Sequence, residues 1–376
     1  MKIGFDAKRA IQNNTGLGNY SRYVVDILSR FYPDNNYLLY APKNRENSRL
    51  ADIRTRKNIL FRFPLSGWKW FSSLWRTYGV KKELKKDRIS VYHGLSNELP
   101  TGINRTGIRS VVTIHDLIFI RYPEFYKPID RLIYKIKFRH ACRVADTIIA
   151  ISECTKRDII SYFNIPENKI AVVYQGCHSS FRQAVSPETK NAVAAKYSLP
   201  PRFLLYVGTV EYRKNLLLIA KALKYVDNEI HMVAVGKKTP YQTSVENYLT
   251  EHRLSERVHL YNQVSFDDLP AIYQLAQIFV LPSYFEGFGI PVIEALSSGI
   301  PVIAATGSCL EEAGGEHSIY INPDNEKELA DKINLILNDE KLAAQMSENG
   351  KRYVERFSDE NTARELMHIY KNICNC

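Results

Sequence analysis

The chain has 376 residues, 45% of them hydrophobic and 24% charged, too long for one ordinary core and too apolar to stay disordered. No apolar run approaches the roughly 20 residues that a membrane-spanning helix needs. The formal charge of +11 is unevenly placed: residues 1–200 carry 34 Lys and Arg against 16 Asp and Glu, while residues 201–376 carry 17 against 24, so the first half is fitted to an anionic partner such as nucleic acid, a membrane surface or a phosphorylated substrate.

From the start, MKIGFDAKRA lacks the apolar core of a secretion signal and runs straight into a strand. The six cysteines (142, 154, 177, 309, 374 and 376) show no metal-ligand spacing, and together these features favour a reducing cytoplasm. NNTGLGNYSRYVVDILSRF then opens on a glycine-rich turn and continues with helical periodicity. The glycines are an incomplete dinucleotide fingerprint, because Ser21 stands where the third glycine belongs. YLLYAP, ILFRFP, VYHGL, VVTIHD, TIIAIS and KIAVVYQG read as further strands with helical stretches between them, the pattern of βαβ units on a mostly parallel sheet. VVTIHD ends on His115, beside Asp116. Two other segments in this half are basic. WKWFSSLWRTYGVKKELKKDR sets Trp68, Trp70, Phe71 and Trp75 before Lys81, Lys82, Lys85 and Lys86, and RLIYKIKFRHACR contains no acidic residue. Aromatic residues beside lysines suit the interface of an anionic bilayer; the alternative is core tryptophans beside a solvated basic face.

Polar residues ending in Pro-Pro predict a linker at 186–200, dividing a first domain (1–185) from a second (201–355). The second domain repeats the alternation with FLLYVGT, HMVAVG, VHLYNQV, IFVLPS, PVIAA and SIYIN. Arg213 and Lys214 follow FLLYVGT, where fixed cations at a strand end suit a diphosphate. After IFVLPS comes YFEGFGIPVIEALSSG. Gly287 and Gly289 permit a tight bend and Pro291 suits the first turn of a helix, so amides from Gly289 to Val292 should face a phosphate or sugar oxygen at the positive helix end. Glu286 and Glu294 flank that bend as acceptors for neutral hydroxyls. The residues alone equally allow a helix-dipole partner and a solvated loop carboxylate. The tail DENTARELMHIY is amphipathic, and residues 356–376 are expected to form a helix crossing back to the first domain.

The pair of glutamates eight positions apart around Gly-Phe-Gly and Pro resembles the motif of retaining glycosyltransferases of family 4. NNTGLGNYSRYV, VYHGLSNELP, VVTIHDL, AISECTKRDI, VVYQGCHSSF, YVGTVEYRKN, AVGKK and VHLYNQVSFDDLPAIYQLA follow in that family's order along nearly the whole chain. The resemblance implies an α/β chain of GT-B type: two doubly wound, Rossmann-like domains facing across a cleft. It also implies that Glu294 binds the donor's ribose, that Glu286 and His115 face the transferred sugar, and that amides of Phe288, Gly289 and Ile290 contact sugar or phosphate. Arg213 and Lys214 would neutralise the diphosphate; Gly16, Gly18, Gly208, Gly236 and the backbone at Val264 would line the donor. Asn262 stands where the family carries glycine, and a left-handed asparagine is expected there.

With no carboxylate placed as nucleophile and no Asp-x-Asp metal motif, the resemblance implies same-face, metal-independent transfer. GDP-mannose is the favoured donor over UDP- and dTDP-sugars. The expected partners are a lipid-linked or saccharide acceptor and an anionic membrane surface, not nucleic acid, with the enzyme peripheral on the inner face of the cytoplasmic membrane. A nucleotide-sugar epimerase and a basic nucleic-acid-binding protein are the rival readings.

Overall fold

In the computed structural model, residues 1–64, 71 and 74–375 are described. They form two compact units, Met1–Gln175 with Ser358–Cys376 and Gly176–Phe357. The first is built on seven parallel strands: β1 (Lys2–Asp6), β2 (Asn36–Tyr40), β3 (Ile59–Arg62), β4 (Val91–Gly94), β5 (Arg109–Ile114), β6 (Thr147–Ala150) and β7 (Ile170–Val172), ordered β3-β2-β1-β4-β5-β6-β7. The second has six, also all parallel: β8 (Phe203–Val207), β9 (His231–Val235), β10 (Val258–Tyr261), β11 (Ile278–Leu281), β12 (Val302–Ala305) and β13 (Ile319–Ile321), ordered β10-β9-β8-β11-β12-β13. Both orders reverse direction once, at β1/β4 and at β8/β11. Strands buried on both faces need apolar residues throughout rather than in alternation, and the apolar runs Ile278–Leu281 and Val302–Ala305 are buried at every position.

A C-terminal helix, Asp359–Cys374, belongs to the first unit. Ser358 caps it through the Asn361 amide at 3.3 Å, Asp359 and Glu360 occupy its positive end, and Asn375 closes it in a left-handed conformation. Its buried face is Thr362, Ala363, Leu366, Met367 and Tyr370. It lies against the helix Gly16–Phe31, where Arg30 meets Asp359 at 2.7 Å.

The linker expected at 186–200 is not a linker. Pro187–Tyr197 is a helix of the second unit, capped by Ser186 through the Thr189 amide at 3.2 Å. Val193 is buried, and Lys196 and Tyr197 both reach Asp268 at 2.7 Å. Polar composition misled because this helix needs only one thin apolar contact and holds its edge through side-chain hydrogen bonds. The chain passes from one unit to the other at 175/176 and returns at 357/358.

Trp75 is a second correction. It is 1% exposed, and its Nε1–H donates to Glu83 Oε1 at 2.8 Å, so it is a core side chain with its polar end satisfied rather than an interfacial one. Trp68 and Trp70 lie outside the described residues. Phe71 is exposed, as are Lys82, Lys85 and Lys86, while Lys81 donates to the Thr101 carbonyl at 2.6 Å.

Candidate functional site

Open parallel sheets bind ligands beyond the carboxyl ends of their strands, where the strand order reverses. In the second unit that place is the β8/β11 junction, and it is where the two charged motifs meet. The loop after β8 carries Gly208 and ends in a short 3-10 turn, Tyr212–Lys214, closed by Asn215 in a left-handed conformation. Asn215 anchors this turn by donating Nδ2–H to the Pro323 carbonyl at 2.7 Å. The loop after β11 carries Ser283 to Gly289.

Glu286 joins the two loops. Its Oε2 is 3.0 Å from Arg213 Nη1 and its Oε1 is 2.9 Å from Lys214 Nζ, with the Ser283 hydroxyl donating to Oε1 at 2.9 Å. Arg213 also donates to the Phe285 carbonyl and reaches Glu211 Oε1 at 2.6 Å, while its own carbonyl accepts from the Tyr284 amide at 2.9 Å. The Glu286, Arg213 and Lys214 side chains are 12%, 15% and 14% exposed, so water screens their attraction little. Burial alone would raise the Glu286 pKa; Lys214 and Arg213 outweigh it and hold the carboxylate down at about 2. Two cations are therefore fixed at the strand end with rotamers already chosen.

Gly289 starts the following helix, Ile290–Ser298, at φ +119°, and a Cβ there would come 2.9 Å from Leu310 Cδ2. The backbone requires glycine twice over. The expectation of amides running to Val292 needs correcting. Pro291 has no N–H, and the Val292 amide is taken by the Gly289 carbonyl at 2.9 Å. That leaves the Gly289 and Ile290 amides without an acceptor among the described residues. Cys309, fully buried, sets its sulfur 3.0 Å from the Glu286 carbonyl and 3.1 Å from that of Phe288, pinning the bend from behind. The Phe288 side chain is itself core, edge-on to Phe357.

Glu294, one turn into the helix, accepts from the Tyr273 hydroxyl at 2.8 Å. Burial pushes its pKa up to about 7, against which the Tyr273 hydrogen bond works. The two glutamates thus differ in kind: Glu286 is permanently ionised by its cations, whereas Glu294 titrates near neutrality.

Gly208 and Gly236 mark a close approach of loops. A Cβ on Gly236 would lie 1.7 Å from the Gly208 carbonyl oxygen, whereas one on Gly208 would meet side chains, Lys214 Cδ at 3.1 Å and the Tyr206 hydroxyl at 3.3 Å. Val264 is half-buried in the loop after β10. Asn262 is not among the residues of positive φ, so the expected left-handed asparagine is absent and the loop takes another path.

In the first unit, His115 follows β5. It is 7% exposed; its amide donates to Asn97 Oδ1 and its Nε2 lies against the Leu95 carbonyl, both at 2.9 Å. Burial lowers its pKa to about 4, the Leu95 carbonyl opposing. A carbonyl can only accept, so the neutral ring carries its proton on Nε2 and keeps Nδ1 as an acceptor. Tyr20 sits edge-on to the ring, centroids 4.6 Å apart. Behind it runs a buried hydrogen-bonded chain: Tyr20 hydroxyl to Thr113 Oγ1 (3.0 Å), Thr113 to His93 Nε2 (2.8 Å), and His93 Nδ1 to the Tyr370 hydroxyl (2.6 Å). Gly16 and Gly18 open the helix that carries Tyr20. Gly18 touches the preceding loop, since a Cβ there would be 1.9 Å from the Asn13 carbonyl oxygen; Gly16 has open space around it.

Sequence reasoning did not find Glu211, Ser283, Tyr273, Cys309, Asn97 or the His93–Tyr370 chain. Glu211 and Ser283 lay close to recognised residues, two before Arg213 and three before Glu286. Tyr273 and Cys309 come from other elements and carried no local signal.

Two all-parallel, doubly wound units are the plan of GT-B glycosyltransferases. The chain superposes over 99% of its length on the whole of the Anabaena protein HepE, whose crystal structure contains UDP and glucose, with a TM-score of 0.76 at 17% identity. Family models divide it in the same way, with Glycosyltransferase Family 4 matching residues 21–181 and Glycosyl transferases group 1 matching residues 189–353. The chain belongs to this glycosyltransferase family and is itself a glycosyltransferase. Among curated proteins it is 27% identical to O-antigen chain mannosyltransferase B of Escherichia coli, covering 99% of this chain and 100% of that one. It is 28% identical to O-antigen chain mannosyltransferase RfbU of Salmonella typhimurium over 57% of each. Every charged residue of the β8/β11 site falls inside the group 1 match, whereas Gly16 and Gly18 precede the other.

Proposed function

We propose that the protein transfers mannose from GDP-mannose to a hydroxyl of a lipid-linked saccharide, with retention at the anomeric carbon, during assembly of a surface polysaccharide. The observation that carries the proposal is the Arg213–Glu286–Lys214 cluster beside the Gly289 and Ile290 amides. The donor's diphosphate needs fixed positive charge as it departs, and both cations are already in place. Mannose and O-antigen assembly come from the names of the relatives, and one of those aligns over the full length of both chains.

In this mechanism Glu294 accepts hydrogen bonds from the ribose hydroxyls and Glu286 from hydroxyls of the transferred sugar. His115, neutral, offers Nδ1 to another sugar hydroxyl. The bond from the anomeric carbon to the phosphate oxygen breaks; the acceptor oxygen bonds to the same face, and its proton passes to the departing phosphate oxygen. The products are the glycoside and a nucleoside diphosphate. Arg213 and Lys214 balance the charge that develops on the phosphate, so transfer should persist in chelator. The enzyme would work peripherally on the inner face of the cytoplasmic membrane.

Thermal-shift titration with GDP-mannose, UDP-glucose and dTDP-rhamnose tests the donor, because a ligand raises the midpoint according to its binding free energy. A selective shift with GDP-mannose is expected; an equal or larger shift with either of the others overturns the donor assignment. Retention is read from the anomeric configuration of the product by NMR.

A further inference from the structure

The helix Pro128–Val144 has two apolar faces, and the first unit covers only one. Phe138, Ala141 and Cys142 point inward, with Phe138 packed edge-on to Phe119 at 5.2 Å between ring centroids. On the other side Ile129, Leu132, Ile133 and Ile136 stand at i, i+3, i+4 and i+7, with 74%, 60%, 43% and 62% of their surfaces in solvent. At about 100° per residue that stripe lies roughly opposite the buried face. Scattered exposed apolar residues are ordinary, but four in one helical row are an interaction surface.

Charge narrows the partner. Between Lys127 and Arg143 the sequence has six basic residues and one acidic, Asp130. Beside the stripe is a cleft of about 270 Å³ lined by Phe119, Ile120, Pro128, Arg131, Leu132 and Lys135. Its lining joins four apolar residues to two cationic ones, and the Arg131 Nε has no hydrogen-bond partner among the described residues. Apolar and basic side chains side by side match an anionic amphiphile. A second copy of this chain would set these basic residues against themselves. The surface also continues. Lys137 reaches Glu98 Oε1 at 3.4 Å, and the other oxygen of Glu98 holds Arg76 at 2.6 Å, on the turn that carries exposed Leu74 and Tyr78.

We infer that this helix is the membrane-docking element of the protein, lying flat on an anionic bilayer with Ile129, Leu132, Ile133 and Ile136 inserted among the acyl chains and the flanking lysines and arginines at the phosphates. No helix among the described residues is long and apolar enough to cross a membrane. The inference rests on the lipid-linked acceptor proposed above, but it is tested without donor or acceptor.

Flotation with vesicles of two parts phosphatidylcholine to one part phosphatidylglycerol should carry the full-length protein. Phosphatidylcholine alone, or high salt, should weaken binding. The double variant Ile129→Glu/Ile136→Glu should lose about tenfold or more of its vesicle affinity, and Lys135→Ala a smaller part, while both keep the wild-type melting temperature and nucleotide-sugar thermal shift. Failure of the wild type to float on anionic vesicles overturns the inference, as does equal flotation of the double variant. A dimer in light scattering that the double variant abolishes, with no flotation, assigns the stripe to a second copy instead. None of these outcomes bears on the donor, which the thermal shift reads separately.

Discussion

At the carboxyl end of β11 a carboxylate is held ionised by two cations; at the carboxyl end of β5 an imidazole is held neutral by burial, which outweighs the opposing pull of the Leu95 carbonyl. Both ends are polar and nearly closed to water, yet one concentrates charge and the other removes it. The difference follows from what each must leave open. Glu286 already occupies Arg213 and Lys214, so the positive charge stands ready but compensated, and a buried pair of this kind serves geometry more than stability. His115 has spent Nε2–H on Leu95 and keeps only an acceptor, which can take a hydroxyl proton but cannot repel a cationic transition state.

The largest effects should come from breaking the charged end. Arg213→Ala or Lys214→Ala is expected to lower kcat by about 10²–10³-fold, the usual loss on removing one stabiliser of developing charge, while GDP binding falls less. A rise in KM with kcat unchanged would mean that the cations bind substrate and transition state equally. Glu294→Ala should weaken nucleotide binding and Glu286→Ala should mainly slow transfer; unchanged kinetics in both would reject these roles.

Next come the glycines, which separate packing from ligand contact. Gly236→Ala drives a Cβ into the Gly208 carbonyl and should destabilise the second unit by about 3 kcal/mol, seen as a lower urea midpoint. Gly16→Ala meets nothing and should keep full stability. If it nevertheless loses activity, that position is needed for close approach of a ligand rather than for folding.

Glu294 makes the comparison depend on pH. With its folded pKa raised to about 7, the unfolded chain loses this proton first. The Glu294 contribution to unliganded stability therefore falls as pH rises from 4.5 to 7. If ribose hydroxyls require the ionised carboxylate, nucleotide affinity should rise roughly tenfold between pH 6 and pH 8, and Glu294→Gln should flatten that profile in calorimetry. Glu286, held at about 2, adds nothing in this window; its contribution is present above the unfolded value and is lost only as pH falls towards 2. The smallest effect is Tyr273→Phe, which removes the one side-chain hydrogen bond that Glu294 accepts among the described residues. It should cost about 1 kcal/mol of stability and move the midpoint of the pH profile upward.

The strands and the charged motifs were legible because parallel strands are apolar at every position and because glycine, proline and charge punctuate their ends. What joined the motifs was not, since 72 positions separate Arg213 from the Phe285 carbonyl that fixes it. Trp75 was misjudged for a physical reason: a tryptophan beside lysines looks the same in sequence whether its Nε1–H finds water or Glu83. The helix 187–197 was missed because one of the groups that hold it, Asp268, is supplied by a later segment. Asn262 shows the limit of substituting by propensity, because a residue able to adopt a left-handed conformation need not do so.

The return of the last helix to the first unit bears on how the protein is made. A ribosome releases residues 1–175 long before Tyr370 emerges, so the nascent first unit must wait with His93 Nδ1 lacking its Tyr370 partner and the groove beside the Gly16 helix uncovered. The second unit, from 176 to 357, can meanwhile complete its own sheet. Chaperone dependence should therefore fall on the part synthesised first, and loss of the helix Asp359–Cys374 would harm the unit of residues 1–175 rather than the one it follows in sequence.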